Sequence, residues 1–400
     1  MVATVVLALV AAVGVVISSM QTVLTLFFAR RGRFFGPGLR RQAASTAFPP
    51  AASRLPFVSI LKPVCGLEDE LRENLLSFAA LEGIDYEVIL SVADPQDPAI
   101  AVIDEVMTLT GPAPFRLVIG GDPRFEWMNR KVARLVEAEK YARGEIFFIS
   151  DANVRIEPHT IAATVASFRG RVGCVSNLFT GTGASSFGAT IESLHLLSFV
   201  VPGSVLAAFA EVPCVVGKSM AISRRALRAI GGFVQFADVL AEDQAIGLAV
   251  KNAGFEVIVS PEVARNVVVE RTLRRALDRQ IRWNKIRFAF SKLTYTAEFL
   301  TNPLPFAIAT AYVASLERSS AMPFTIVAMI AALRILQVAT LAFATRARLT
   351  TRQLLAVPAL DVLQFGTQFV PYFSNRVTWR GYTARIGPST RLIAVTEQAA

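Results

Sequence analysis

The chain has 400 residues, a formal net charge of +10 and a hydrophobic fraction of 53%, above the roughly 45–50% apolar content of an ordinary soluble protein. The basic residues flank apolar runs and form no DNA- or RNA-binding motif, so they point to a membrane surface and not to nucleic acid. Three widely spaced cysteines (Cys65, Cys174, Cys214) exclude a disulfide framework and a zinc pattern, and with two histidines any metal would be held by oxygen.

Residues 2–28 contain no charge, and about 20 apolar residues suffice to cross a bilayer core. The run lacks a basic start and is too long for a cleaved signal peptide, so it reads as a retained anchor over residues 1–29. Arg30, Arg31, Arg33, Arg40 and Arg41 follow at once and hold that side in the cytoplasm by the positive-inside tendency. Residues 30–55 then read as a basic linker of small residues and prolines, leading into a cytoplasmic domain over 56–298.

Within that domain, β-rich runs alternate with helical spacing. Strands are expected at 57–61, 86–92, 115–119 and 145–150, and helices at 71–81, 99–109 and 129–142. The β-α-β-α-β-α-β order predicts a Rossmann-like, mostly parallel sheet with ligands at the carboxyl ends of its strands. Asp94 and Asp97 follow the second strand and Asp151 follows the fourth. An aspartate there equally caps a helix or shapes a turn, but three at strand ends favour a site. Asp151-Ala152-Asn153 is a short acidic motif able to take Mg2+ or Mn2+ through the Asp151 carboxylate and the Asn153 carbonyl. Lys131 would reach a phosphate as a point charge, or else lie on a solvated helix surface.

Residues 193–210 are apolar, include Pro202 and Gly203, and fit an interfacial helix or a buried core segment. Glu242 and Asp243 open a further helix, where they also suit the helix dipole. Asp243 is the candidate base and Glu242 a candidate contact for an acceptor. Arg279 and Arg282 are neighbours on a helix with Trp283 beside them, suiting phosphate and sugar, within a basic stretch that also suits lipid headgroups. Apolar runs at 299–316 and 322–343 read as a hairpin around the break Glu317-Arg318-Ser319-Ser320, the second run carrying Arg334. The run at 354–373, with Asp361, Gln364, Gln368, Pro358 and Pro371, either spans or lies re-entrant. Residues 299–373 are thus the C-terminal membrane segments and 374–400 a basic tail.

Five motifs occur in order: Lys62-Pro63-Val64-Cys65-Gly66, Asp94-Pro95-Gln96-Asp97-Pro98-Ala99, Ser150-Asp151-Ala152-Asn153, Ala241-Glu242-Asp243 and Arg279-x-x-Arg282-Trp283. Together they resemble the ceramide glucosyltransferases of glycosyltransferase family 21, relatives of family 2, over roughly residues 57–300 plus the anchor. The ending Val377-Thr378-Trp379-Arg380-Gly381 is also similar. The resemblance implies a GT-A fold, a membrane enzyme facing the cytoplasm (the inner membrane in a bacterium), a UDP-sugar donor, a divalent metal, a ceramide acceptor and inversion at the anomeric carbon. It places Asp94 and Asp97 near the donor nucleotide and Asp151 at the metal and diphosphate, where Asn153 and Lys131 are the neighbours read above as a metal ligand and a phosphate contact. By the resemblance Asp243 becomes the base and Arg279, Arg282 and Trp283 complete the catalytic set; from their own positions, Glu242 and Trp283 are the candidate acceptor contacts. Hopanoid, diacylglycerol or polyprenyl phosphate are alternative acceptors. A processive polysaccharide synthase usually needs more membrane helices, a transporter would place its charges at bilayer depth, and UDP-sugar binding separates a non-catalytic scaffold from an enzyme. The resemblance favours glucose as the sugar, with galactose, glucuronic acid and N-acetylglucosamine as alternatives.

Overall fold

The computed structural model describes residues 2–31, 55–111, 114–121, 129–316, 322–379 and 382–394. Residues 32–54 of the expected linker, the break at 317–320 and Arg380-Gly381 lie outside the described residues. Two compact units are formed, one from Phe28–Gly183 with Ser204–Val268, the other from Met1–Phe27, Ala184–Gly203 and Val269–Ala400.

The first unit is built on an eight-stranded sheet: β1 (Val58–Val64), β2 (Tyr86–Val92), β3 (Phe115–Ile119), β4 (Ile146–Ser150), β5 (Val154–Arg155), β6 (Val172–Thr182), β7 (Ser219–Ser223) and β8 (Glu256–Val267), in the order β3-β2-β1-β4-β7-β6-β8-β5. The β3-β2-β1-β4 half is parallel, with Leu61 paired to both Ile89 and Ile149. Val58, Ile60, Leu61 and Val64 of β1 and all of β4 are buried, as expected where helices cover both faces of a parallel sheet. Phe147 packs edge-to-face on Phe233 in a core shared with Leu61, Ile89, Val132, Leu135 and Ile246.

Strand β7 runs antiparallel between β4 and β6, pairing Ser150 with Ser219. That pairing brings Lys218, one residue before β7, opposite Asp151, one residue after β4. The helix expected over 71–81 stops at Leu76, where the Ser77 hydroxyl turns back to donate to the Asn74 carbonyl at 2.7 Å. Strand β8 runs as far as Val267 because β6 offers it a parallel partner as far as Thr182.

The second unit is largely helical. Its N-terminal helix, Val2–Arg31, passes Gly14 so close to Leu300 and Pro303 that a Cβ there would lie 3.0 Å from the Leu300 carbonyl and 3.1 Å from Pro303. Among the described residues, Val2–Arg30, Phe187–Phe209 and Phe324–Ala344 are long and apolar enough to cross a membrane; Lys292–Thr301 with Pro303–Leu316, bent by 65°, adds a fourth if it is one span. The segment expected at 193–210 therefore lies within a longer helical stretch, with a π-helical turn over Leu196–Val200. The run at 354–373 is not one helix. It breaks into Thr351–Leu355, Val357–Gln368 and Val370–Phe373, with Pro358 and Pro371 in the first turns of the last two pieces, where a missing N–H is tolerated. Asp361 on the middle piece accepts from Arg334 Nε and Nη2 at 2.9 and 3.1 Å. Arg334 also donates to Gln337 at 2.8 Å, and Gln337 donates to Ser18 and Ser19 at 3.2 and 3.0 Å. These polar side chains satisfy one another, as apolar surroundings require. The stretch expected as a tail instead forms three short antiparallel strands, Arg376–Trp379, Tyr382–Ile386 and Leu392–Ala394.

Candidate functional site

The parallel strands deliver their carboxyl ends to one edge of the first unit. On that edge Lys131, in the first turn of the helix Arg130–Glu139, points its ammonium at three groups. Nζ lies 3.0 Å from Asp151 Oδ1, 3.0 Å from Glu242 Oε1 and 3.1 Å from the Gly217 carbonyl. Asn129 caps that helix through its side-chain oxygen and donates its amide to Glu242 Oε2 at 3.1 Å. Glu242 is thus buried with both oxygens engaged, holding Lys131 and the helix start in place.

Lys218 reaches Asp151 from the other side. Its Nζ lies 3.2 Å from Asp151 Oδ2 and 3.1 Å from Asn153 Oδ1, with the side chain 9% exposed. Burial would push the Asp151 carboxyl up, but the two ammoniums outweigh it and hold that carboxyl well below the usual carboxylate range. Burial opposes the charge on Lys131, yet Asp151, Glu242 and Asp243 raise its pKa above the ordinary lysine value. Burial, with Lys131 opposing and Asp243 adding, raises Glu242. Lys131 and Asp151 are therefore ionised at neutral pH.

Asp243 stands beside this cluster at the start of the helix Glu242–Asn252. Its Oδ2 accepts from the Gly217 N–H at 2.6 Å and its Oδ1 from the Gln244 N–H at 2.8 Å. Two backbone donors fix the carboxylate while the residue keeps partial exposure, which suits a proton acceptor.

Lys62 lies beneath the edge and is fully buried. Its ammonium donates to Ser150 Oγ at 3.2 Å and the Asp151 carbonyl at 3.0 Å, and sits 3.7 Å from the Phe78 ring centroid. Burial lowers its pKa to about 7, against the pull of Asp151 and with the push of Lys218. Asp97 is a tether. It accepts from Gly66 N–H at 2.9 and 3.0 Å and from Ala99 N–H at 2.9 Å, fastening the turn after β1, where Gly66 has φ +70°. Asp94 is exposed on the same loop and accepts from the Gln96 N–H at 2.8 Å.

Arg279, Arg282 and Trp283 belong to the second unit, on the helix Leu273–Phe290. Arg279 pairs with the buried Glu192, whose other oxygen lies 3.2 Å from Arg271 Nε, and its guanidinium sits 5.0 Å from the Trp283 ring centroid. Trp283 in turn meets His195 edge-on at 6.2 Å. His195 is thus part of an aromatic packing cluster that includes Phe199, stacked on it at 5.4 Å.

Lys218 lies in none of the five motifs, and Lys62 opens the first of them without an assigned role. Their signal was a lysine inside a run that otherwise reads as buried strand: Ile60-Leu61-Lys62-Pro63-Val64 and Val215-Val216-Gly217-Lys218-Ser219-Met220. The expected metal can be tested against this donor set. A hard divalent ion takes several oxygens, carboxylates above all. Among the described residues no group of three or more His, Cys, Asp or Glu side chains could hold one. Asp151 Oδ2 and Asn153 Oδ1 both already face the Lys218 ammonium. So arranged, the residues do not fit a divalent ion.

A family model described as "Glycosyl transferase family 21" matches residues 6–392. The chain is 26% identical over 237 residues to ceramide glucosyltransferase 1 of Caenorhabditis elegans, covering 59% of this chain and 50% of that protein. It is 25% identical over 266 residues to ceramide glucosyltransferase 3 of the same animal, covering 65% of this chain and 57% of that one. The chain thus spans little more than half the length of these curated relatives. A mannosyltransferase from Pyrobaculum calidifontis, solved in complex with GDP-Man and Mn2+, superposes with a TM-score of 0.53 at 19% identity, covering 90% of this chain and 99% of that one. This likeness bears on the fold alone, and it fits the GT-A arrangement of a mixed, mostly parallel α/β sheet with an apolar N-terminal helix and further candidate membrane helices.

Proposed function

The chain belongs to glycosyl transferase family 21, and from that premise we propose that it transfers glucose from UDP-glucose to a hydroxyl of ceramide, with inversion, at a membrane. The observation that carries this reading is the pairing of a doubly cationic edge, Lys131 and Lys218 around Asp151, with a separately held carboxylate, Asp243. A departing diphosphate needs the first and an attacking hydroxyl needs the second. The apolar helices supply the means of membrane residence that a lipid acceptor demands.

The acceptor oxygen attacks the anomeric carbon from the face opposite the nucleotide. Its lone pair forms the new C–O bond as the bond to the diphosphate oxygen breaks, and UDP leaves with that electron pair. Asp243 takes the proton from the acceptor hydroxyl. Lys131 steadies the charge that grows on the diphosphate, and Glu242 and Asn129 keep Lys131 aimed. Asp94, on its exposed loop, is assigned to the nucleotide, and Asp97 supports that loop. The catalytic and acceptor roles of Arg279, Arg282 and Trp283 rest on the motif and are supported by their place in the unit that carries the apolar helices. A metal at Asp151 and Asn153 would have to displace Lys218, so no step is routed through one. The same reading puts the first unit on the cytoplasmic face, after the arginines that follow the N-terminal helix.

The test is mass spectrometry of lipids made by the full chain in membranes, offered ceramide, diacylglycerol, a hopanoid or polyprenyl phosphate with each of several UDP-sugars. Hexosylceramide from UDP-glucose is expected. With Asp243→Asn, UDP should still bind while kcat falls about 10²-fold or more, the scale of lost general-base catalysis. Product on another lipid alone would reassign the acceptor, and near-normal turnover by Asp243→Asn would move the base elsewhere, with Glu242 the first candidate.

A further inference from the structure

We propose that Lys218 is a built-in cation standing where a divalent ion would bind, so that Lys131 and Lys218 neutralise the donor diphosphate and transfer needs no metal. This rests on reading the Asp151 edge as the donor site.

The geometry is that of an occupied cation position. Asp151 Oδ2 and Asn153 Oδ1, two residues apart, converge on one nitrogen at 3.2 and 3.1 Å. An ion ligated by both would have to sit where that ammonium sits, because Mg2+ and Ca2+ take their oxygens at only about 2.0–2.6 Å. The position of Lys218 follows from the backbone. The antiparallel register Ser150–Ser219 fixes the residue before β7 opposite the residue after β4, and Lys218 is buried there. A lysine that entered by chance from the surface would need no such pairing.

The charges agree. The two oxygens come from one carboxylate and one neutral amide, a set that balances a single positive charge and leaves a divalent ion half uncompensated. Asp151 Oδ1 is meanwhile held by Lys131 at 3.0 Å. Lys131 already bridges Asp151 and Glu242, and a further +2 would bring a third cationic centre against Asp151. Glu242 also pairs with Lys131 at 3.0 Å, so what an arriving diphosphate would meet is two ammonium donors and not a surplus of positive charge. No bond to the sugar is made or broken by Lys218: it neutralises the leaving group, and the balance of the transfer is unchanged.

The experiment uses the full chain in detergent or nanodiscs, with UDP as the probe. Wild-type turnover and UDP affinity by calorimetry should be the same in EDTA as in added Mg2+ or Mn2+, and a Mn2+ titration followed by electron paramagnetic resonance should find no stoichiometric site, with or without UDP. Lys218→Met keeps the length and removes the charge, so UDP affinity should fall tenfold or more, as expected for losing a hydrogen bond to a charged group. Loss of wild-type turnover or UDP binding in EDTA, or one Mn2+ bound per chain with UDP, overturns the proposal without relying on any variant to fold. A wild-type chain that binds no UDP under either condition overturns the glycosyl-transfer reading itself.

Discussion

The Gly217 N–H and the Asp243 carboxylate are joined by a 2.6 Å hydrogen bond, the shorter of the two backbone bonds that fix the candidate base. Gly217 serves a second function at the same point, because its carbonyl accepts from Lys131 at 3.1 Å. One peptide neighbourhood therefore sets the spacing between the proton acceptor and a cation of the diphosphate edge.

That contact leaves no room for a side chain. A Cβ on Gly217 would lie 2.7 Å from Lys131 Nζ and 3.0 Å from Asp243 Cβ. Gly217→Ala is expected to push the two functional groups apart while the sheet folds, since the strain falls on the Lys131 and Asp243 side chains and not on the core. Misplacement on this scale costs about 10²-fold in rate. Steady-state kinetics with circular dichroism as the folding control measures it, and a kcat equal to wild type would mean that Lys131 can shift aside without consequence.

Much of this edge was legible in the sequence, and the reason is local. Strands β2 and β3 lie at the residues that β-rich periodicity predicts, and Asp94 and Asp151 follow strand ends because parallel strands announce themselves by continuous apolar runs. What the sequence hid was pairing between distant segments. Nothing in the run around Lys218 says that β7 inserts antiparallel beside β4, and only that insertion brings Lys218 to Asp151. The family resemblance puts Asp97 near the nucleotide but does not show that its carboxylate is taken up by the Gly66 turn. In the helical unit, Asp361 and Arg334 were each legible as polar residues in apolar runs, but their partnership was not, because 27 residues separate them.

Glu192 offers a test of the Arg279 motif. It is buried and joins Arg279 and Arg271 through its two oxygens. Glu192→Gln keeps the shape and removes the charge, leaving two guanidiniums without their shared counter-ion. Breaking a buried pair in this way costs up to about 3–5 kcal/mol, less here because Arg271 keeps access to water. The Tm in detergent should fall, and turnover should fall with it as Arg279 and Trp283 lose their fixed relation. A variant with wild-type Tm and turnover would show that the pair positions nothing.

The Arg334–Asp361 pair calls for a double-mutant cycle. Asp361→Leu alone strands a guanidinium among apolar helices and should destabilise by about 3–5 kcal/mol, whereas replacing both partners with apolar residues of similar volume is often neutral or stabilising. Arg334→Met with Asp361→Leu is therefore expected to recover most of the loss in thermal melts, short of what Gln337 contributes through its bond to Arg334. If the double variant melts no higher than Asp361→Leu, the cost lies in the lost bonds and not in the stranded charge.

Lys62 supplies a pH dependence with a definite sign. Burial lowers its folded pKa to about 7, while an unfolded lysine titrates near about 10.4. Between those values the unfolded chain binds one proton more than the folded chain, so stability rises with pH across the window, by up to roughly 1.4 kcal/mol per unit. Below the folded pKa the burial cost of the charged form is fully present. Asp151, whose pKa is depressed, stays ionised in both states above the carboxylate range and adds no slope there. Lys62→Met keeps the stem against Phe78 and removes the titrating group. Its Tm should therefore exceed that of the wild type at pH 7, and the gap should narrow steadily toward pH 10. Parallel melting curves for the two proteins across that range would mean that the buried ammonium keeps its ordinary pKa, with Asp151 and Ser150 compensating for the water it has lost.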